Sequence, residues 1–192
     1  NIDVIESDKL YIKQINILGN NFNVEDVIRN QFLIDEGDPL NNVLFNKSIS
    51  QIKSLNIFKT VTSEIVDTDN SVEKEINISV EEKPTGEVSL GAGFGTSGAS
   101  TMFGVKENNF LGKGIKLDTN LTLSEETLKG QFFLINPNFN NTDRDLIFNL
   151  QSSETDRLTD FGYKTNINAV SAGTNFEYLD DLFLSPRLEI NN

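Results

Sequence analysis

Cysteine, histidine and tryptophan are all absent from this chain. Without thiols or imidazoles there is no disulfide framework, no thiolate zinc site and no Ser-His or Cys-His nucleophile pair. Chemistry of any kind would rest on carboxylates, lysines or hydroxyls, and no motif in the chain calls for a cofactor. Basic charge is scarce as well: 16 Lys and Arg stand against 29 Asp and Glu, a net charge of −13. Phosphate binding needs a basic surface from which counterions are released, so this balance argues against nucleic acid as a partner. No apolar run approaches the roughly 18 residues of a membrane helix, and mean hydropathy is −0.30. Barrel strands escape that criterion, because outward and inward residues alternate and dilute the signal. The opening Asn1-Ile2-Asp3-Val4-Ile5-Glu6 lacks the basic leader and apolar core of a signal peptide.

What is present divides at Lys83-Pro84. A chain of 192 residues can hold two small domains, and the pattern before residue 84 differs from the pattern after it. Residues 10–18 are β-branched and partly alternating, with Lys13, Ile15 and Ile17 expected on one face, and end at Gly19-Asn20-Asn21. Asn23 is expected to cap a helix over residues 24–33 whose apolar stripe is Val24, Val27, Ile28 and Phe32. Gly37 and Pro39 break it, and a second helix follows over residues 41–55 with Phe45, Ile49, Ile52 and Leu55 along one side. Residues 61–66 and 75–82 then read as a hairpin, the last strand alternating Ile76, Ile78 and Val80 with polar residues, as a sheet with one buried face requires.

Beyond Pro84, whose ring cannot donate to a ladder, the second half reads as strands without a helix. Val88, Leu90, Ala92 and Phe94 alternate with Glu87, Ser89, Gly91 and Gly93, and residues 95–98 turn the chain into a strand at 101–106. Residues 115–124 alternate without a break, and further strands are expected at 128–135, 145–151, 164–178 and from 187 onward, with loops at 136–138, 152–160 and 179–181. Strands of about ten residues with short turns are the barrel pattern. Phe94, Phe103, Phe110, Phe132, Phe139, Phe148, Phe161, Tyr163, Phe176 and Tyr178 recur near expected strand ends, as interfacial girdles do.

The order β-α-α-β-β resembles a POTRA domain, on Ile17-Leu18-Gly19-Asn20 and on Leu55-Asn56-Ile57-Phe58-Lys59-Thr60-Val61. The family's usual glycine after that leucine is Asn56 here, a residue that also tolerates the left-handed conformation of a helix end. In the second half, Asn109-Phe110-Leu111-Gly112-Lys113-Gly114 and Asn136-Pro137-Asn138-Phe139 resemble two barrel turns of the BamA/TamA superfamily. The resemblance runs from about residue 10 to residue 192. It implies an α+β POTRA domain followed by an antiparallel transmembrane β-barrel, of which about six or seven strands are readable. Residues 1–9 are then a connection from a preceding module, 10–83 the POTRA domain, 84–86 a linker and 87–192 the first part of the barrel. The family's inward-folding loop and closing strand have no counterpart in these residues.

That resemblance implies an outer-membrane assembly factor of a Gram-negative bacterium, with the POTRA part in the periplasm and no enzymatic activity. Its partners would be unfolded outer-membrane proteins, accessory lipoproteins and outer-membrane lipid. Two sheet edges are the candidate sites. Val61, Thr62, Ser63, Glu64, Ile65 and Val66 form an expected POTRA edge strand open to strand addition. Val88, Ser89, Leu90, Gly91, Ala92, Gly93 and Phe94 form the first barrel strand, where a closed barrel would have its seam, weakened by glycines that pack nothing. A translocation pore of the TamA or two-partner type is the alternative within the superfamily, and a soluble β-rich binding protein the alternative outside it.

Other motifs carry less. Gly93-x-Gly95-x-x-Gly98 matches a dinucleotide fingerprint in letters, but no helix follows on which a phosphate would sit. Asp67-x-Asp69-x-Ser71 resembles a calcium loop, yet Val72 stands where the sharp turn needs glycine, and a solvated hairpin tip is expected instead. Asp180-Asp181 and Glu125-Glu126 are expected at turns with no pocket around them.

Overall fold

The computed structural model describes residues 9–95 and 98–192. Its contacts separate the chain between Pro84 and Thr85 into two units. Residues 1–8 of the expected connection lie outside the described residues.

In the first unit β1 (Tyr11–Leu18) is followed by α1 (Glu25–Arg29), α2 (Asn42–Ser54) and the hairpin β2 (Phe58–Asp67) and β3 (Glu73–Glu82). The sheet order is β1-β3-β2, with β1 parallel and β2 antiparallel to β3. A parallel pair needs a crossover connection, which the two helices supply. Ile76, Ile78 and Val80 of β3 are buried together with Ile28 of α1, Phe45, Ile49 and Ile52 of α2, and Phe58 and Val61 of β2. The Asp67–Ser71 tip is closed by its own side chains: Thr68 Oγ1 donates to the carbonyl of Asn70 (3.0 Å), and Asn70 Oδ1 accepts from Val72 N (3.3 Å).

Three expectations are corrected here. Helix α1 spans five residues where ten were expected, and Val24 is its N-cap without a side-chain bond. The Asn23 amide is engaged elsewhere, donating to Glu82 Oε1 at 2.6 Å. After Arg29 the chain tightens into i+3 bonds (Gln31 N to Ile28 O, Phe32 N to Arg29 O), and Leu33 N donates to the buried Ser48 Oγ at 2.9 Å. Local i+3 bonds and one tertiary acceptor, Ser48, thus take the amides that would have prolonged the helix. In β1 a bulge between Ile12 and Gln14 puts Ile12 and Ile15 in the core, three residues apart, while Lys13 points outward to Glu75 (2.9 Å). A bulge adds one residue to a strand and so shifts the alternation. By contrast, Asn41 caps α2, accepting from Val43 N and Leu44 N, and Asn56 beyond its end has φ 57, as its place after Leu55 predicts.

The second unit is one antiparallel sheet built from β4 (Gly86–Gly95), β5 (Gly98–Phe110), β6 (Ile115–Ser124), β7 (Thr127–Asn136), β8 (Asp145–Arg157) and β9 (Tyr163–Leu179) in sequence order. β10 (Leu182–Leu184) and β11 (Arg187–Asn191) both pair with β9 and form a seventh course, interrupted at residues 185–186. Register gathers one face from strand to strand: Leu90 opposes Phe103, Phe103 opposes Leu121, Phe132 opposes Leu150, and Leu150 opposes Val170. On the other face Ser89, Asn120, Gln131 and Gln151 follow the same ladder. Among the described residues, the fully buried apolar side chains all belong to the first unit. The second unit holds its apolar face outward, with Leu90 79% and Phe94 93% exposed.

The expected loop at 152–160 is instead the end of β8 and a short helix, α3 (Leu158–Phe161), so the second half is not free of helix. Polar alternation over residues 152–157 hides the strand, because neither face there is apolar. Of the aromatic set, Phe94, Phe110, Tyr163 and Tyr178 lie at or one residue from strand ends. Phe103 and Phe132 lie mid-strand, and Phe132 meets Phe148 edge-on at 6.4 Å.

Candidate functional site

β2 lies at one edge of its sheet, and among the described residues β3 is the one strand that pairs with it. Val61 is buried opposite Val80; Thr62, Ser63 and Glu64 are exposed opposite Ser79, Ile78 and Asn77; Ile65 and Val66 face Ile76 and Glu75. The expected edge residues 61–66 lie within β2, which runs from Phe58 to Asp67.

β4 has one bonded neighbour, β5, among the described residues. Val88, Leu90, Ala92 and Phe94 oppose Val105, Phe103, Thr101 and Ala99 on the apolar face, and Ser89, Gly91 and Gly93 oppose Gly104, Met102 and Ser100 on the polar one. Gly95 pairs with Gly98 to end the hairpin; residues 96–97 of that turn lie outside the described residues.

The two turn motifs have physical reasons for their wording. Between β5 and β6, Leu111 (φ 60) and Gly112 (φ 68) form the positive-φ pair of a primed hairpin turn, closed by Lys113 N to Phe110 O (3.3 Å). Asn109 is 4% exposed, and its Oδ1 accepts from Gly114 N at 2.8 Å, so the first and last residues of the motif are tied inside the turn. Asn109→Ala is expected to leave that amide without its acceptor and lower stability by about 1–3 kcal/mol. The readout is the temperature at which the barrel stops migrating as a compact species; Asn109→Asp, which keeps an acceptor, is expected to lose less. Between β7 and β8, Pro137 and Phe139 sit in a turn whose Asn138, Asn140, Asn141 and Asp143 all have positive φ. Phe139 N closes it onto Arg144 O at 2.7 Å. Asn and Asp tolerate the left-handed region better than other side chains, which explains their concentration here.

Glu82 is a structural residue that alternation alone does not single out. Its Oε1 accepts from Asn23 N (2.8 Å), Asn23 Nδ2 (2.6 Å) and Phe22 N (3.0 Å), pinning the segment after β1 to the end of β3. Burial works to raise its pKa, but the bonds from the Asn23 backbone and side chain and from Phe22 and Asn21 outweigh it and hold the carboxyl below the ordinary glutamate value. A carboxylate with a depressed folded pKa stabilises fully above its unfolded pKa, about 4.3, and that contribution is lost as pH falls through the folded value. The first unit is therefore expected to lose urea resistance below about pH 4.3. Glu82→Gln should lower the midpoint at neutral pH and flatten this acid limb.

The acidic candidates fare differently from expectation. Asp180 lines an open depression of about 570 Å³ with Asp143, Asp145, Glu177 and Phe183, so a concavity is present where none was expected. The turn between β9 and β10 makes it, and sequence does not bring residues 143–145 beside 175–183. Among the described residues no group of three or more acidic side chains is disposed to hold a metal ion.

Comparison with known proteins follows the same division. The POTRA family model, described as a surface antigen variable number repeat, matches residues 10–83. The chain is 28% identical over 133 residues to the outer membrane protein assembly factor BamA of Neisseria meningitidis serogroup B, a match covering 68% of this chain and 17% of that protein. It is 32% identical over 117 residues to BamA of Neorickettsia risticii, covering 59% and 15%. The chain thus spans about a sixth of the length of the curated relatives it matches. Among solved structures, BamA from Haemophilus ducreyi lacking POTRA domains 1–3 superposes with a TM-score of 0.80 at 22% identity, over 96% of this chain and 36% of that one. CdiB from Acinetobacter baumannii superposes with a TM-score of 0.60 at 13% identity, over 96% and 39%. Domain model, relatives and fold point the same way: residues 10–83 match a POTRA domain, the second unit has the fold of part of a β-barrel, and the chain as a whole is similar to the BamA/TamA outer-membrane assembly superfamily.

Proposed function

We propose that this chain acts in folding β-barrel proteins and inserting them into the outer membrane of a Gram-negative bacterium, its POTRA domain in the periplasm and its apolar sheet face toward lipid. An unfolded barrel protein adds an extended segment to β2, and β4, at the seam, templates the incoming strands. Backbone hydrogen bonds at strand edges, each about 0.5–1.5 kcal/mol net, supply the recognition without cofactor or nucleotide. Accessory lipoproteins are the further partners of this reading.

The observation that carries it is the composition of β4. At Gly91 an added Cβ would lie 3.9 Å from Met102 Cβ, and at Gly93 3.7 Å from Ser100 Oγ, both ordinary contacts, and neither glycine has positive φ. Space and backbone do not require glycine at either position. What glycine supplies there is a strand with little side-chain packing, less stable than its alanine counterpart by about 0.5–1 kcal/mol per residue and correspondingly easier to unzip.

Photo-crosslinkers at Ser89, Gly91 and Gly93 of the full-length protein are expected to capture strands of a barrel during its assembly. No capture from β4, with capture of an exported chain from Asn120, Gln131 and Gln151 farther along the same polar face, would replace this reading with a translocation pore.

A further inference from the structure

β1 is the other edge of the POTRA sheet, and it is covered from Leu10 to Ile15. Leu10 O accepts from Leu40 N (2.8 Å), Ile12 N donates to Asp38 O (2.9 Å), Ile12 O accepts from Gly37 N (2.7 Å), and Tyr11 bridges Pro39. Past the bulge, side chains take over from backbone. Glu36 Oε1 accepts from Ile15 N at 2.9 Å, and Arg29 Nη2 donates to Ile15 O at 3.0 Å. The two side chains are 3.6 Å apart, and Glu25 holds the same guanidinium at 2.5 Å. A carboxylate and a guanidinium therefore stand where the C=O and N–H of a neighbouring strand would be.

We infer that Arg29 and Glu36 are an edge plug that restricts strand addition to β2. The inference rests on the proposal that β2 receives an extended chain. A sheet with two open edges would offer that chain two registers and two directions, and would also invite pairing between copies of the protein. Covering one edge with charged side chains removes the alternative, because an incoming strand must first displace two charge-assisted bonds. The partner selected is an extended polypeptide that contributes main-chain donors and acceptors, the chemistry of an unfolded barrel strand.

The test uses the full-length protein and a ten-residue peptide of alternating Val and Thr carrying a benzophenone group, with labelled residues mapped by mass spectrometry. In the unmodified protein the label is expected on residues 61–66. In the Arg29→Ala, Glu36→Ala double variant, labelling of residues 11–18 is expected to rise at least tenfold. Glu36→Gln keeps an amide oxygen at the acceptor position and is expected to stay closed. If the double variant loses protease resistance, Glu36→Ala alone, which frees Ile15 N, is expected to show the rise. Equal labelling of both edges in the unmodified protein overturns the plug. So does a protease-resistant variant that gains no label on residues 11–18. Label on residues 11–18 of the variant, with none on 61–66 in either protein, supports the plug and removes strand addition at β2. Label on neither edge in either protein overturns both.

Discussion

Gly19→Ala is expected to destabilise the POTRA unit by about 3 kcal/mol or more. Two costs coincide there. Gly19 has φ +90, and a Cβ built on it would lie 2.1 Å from the carbonyl oxygen of Val80. A side chain held at positive φ costs about 1–3 kcal/mol, and overlap with a backbone atom cannot be relieved by rotating a side chain. Val80 O belongs to β3, the central strand, so relief means moving the sheet. Gly37 is the control: its φ is +94, but nothing lies within 4 Å of its added Cβ. Gly37→Ala should therefore cost only the backbone part, about 1–2 kcal/mol. The measurement is the urea concentration at which protease begins to cut within residues 9–83. Equal losses for the two variants would show that the close approach of Gly19 to Val80 does not matter.

The second large loss is expected at the centre of the same sheet. Ile78 is fully buried on β3, opposite Ile17 of β1 and Ser63 of β2. Ile78→Ala removes buried methylenes and leaves a cavity that β3, bonded on both sides, cannot collapse to fill, a loss of about 2–5 kcal/mol. Ile65, on the open edge, is 38% exposed, and Ile65→Ala should cost about 1 kcal/mol. The same urea series measures both. A functional consequence accompanies the first: β3 anchors both edges, so its loss should abolish peptide labelling of residues 61–66, while Ile65→Ala should leave that labelling intact. Comparable stability loss in the two variants would contradict the burial gradient from β3 to β2.

The agreement between sequence and structure varies with what each element depends on. Residues 115–124 form a strand with the bounds that their alternation predicts, because one apolar face and one polar face follow from a period of two. The second helix and the left-handed Asn56 are also legible, the helix from apolar residues spaced three or four positions apart and Asn56 from its place after Leu55. The 152–157 extension of β8 was not, since its pairing with residues 163–168 is a matter of hairpin register rather than of apolar pattern. The shortness of α1 was hidden as well, its last turns giving way to i+3 bonds and to Ser48, 15 positions from Leu33.

The candidate edges divide in the same way. That the segment at residues 61–66 is a strand is legible in its composition, and so is the glycine content of β4. Composition carries no record that β1 and β2 flank β3, or that one of these edges is stopped and the other open. Those facts rest on Arg29 and Glu36 reaching Ile15 across 14 and 21 residues. Local patterning carried most of the elements and their apolar faces, with β1, α1 and residues 152–157 the exceptions, because short-range sterics and solvation act within a few residues. The choice of which edge is available came only from the assembled sheet, because a strand's unpaired groups are defined by whatever neighbour the fold brings to them.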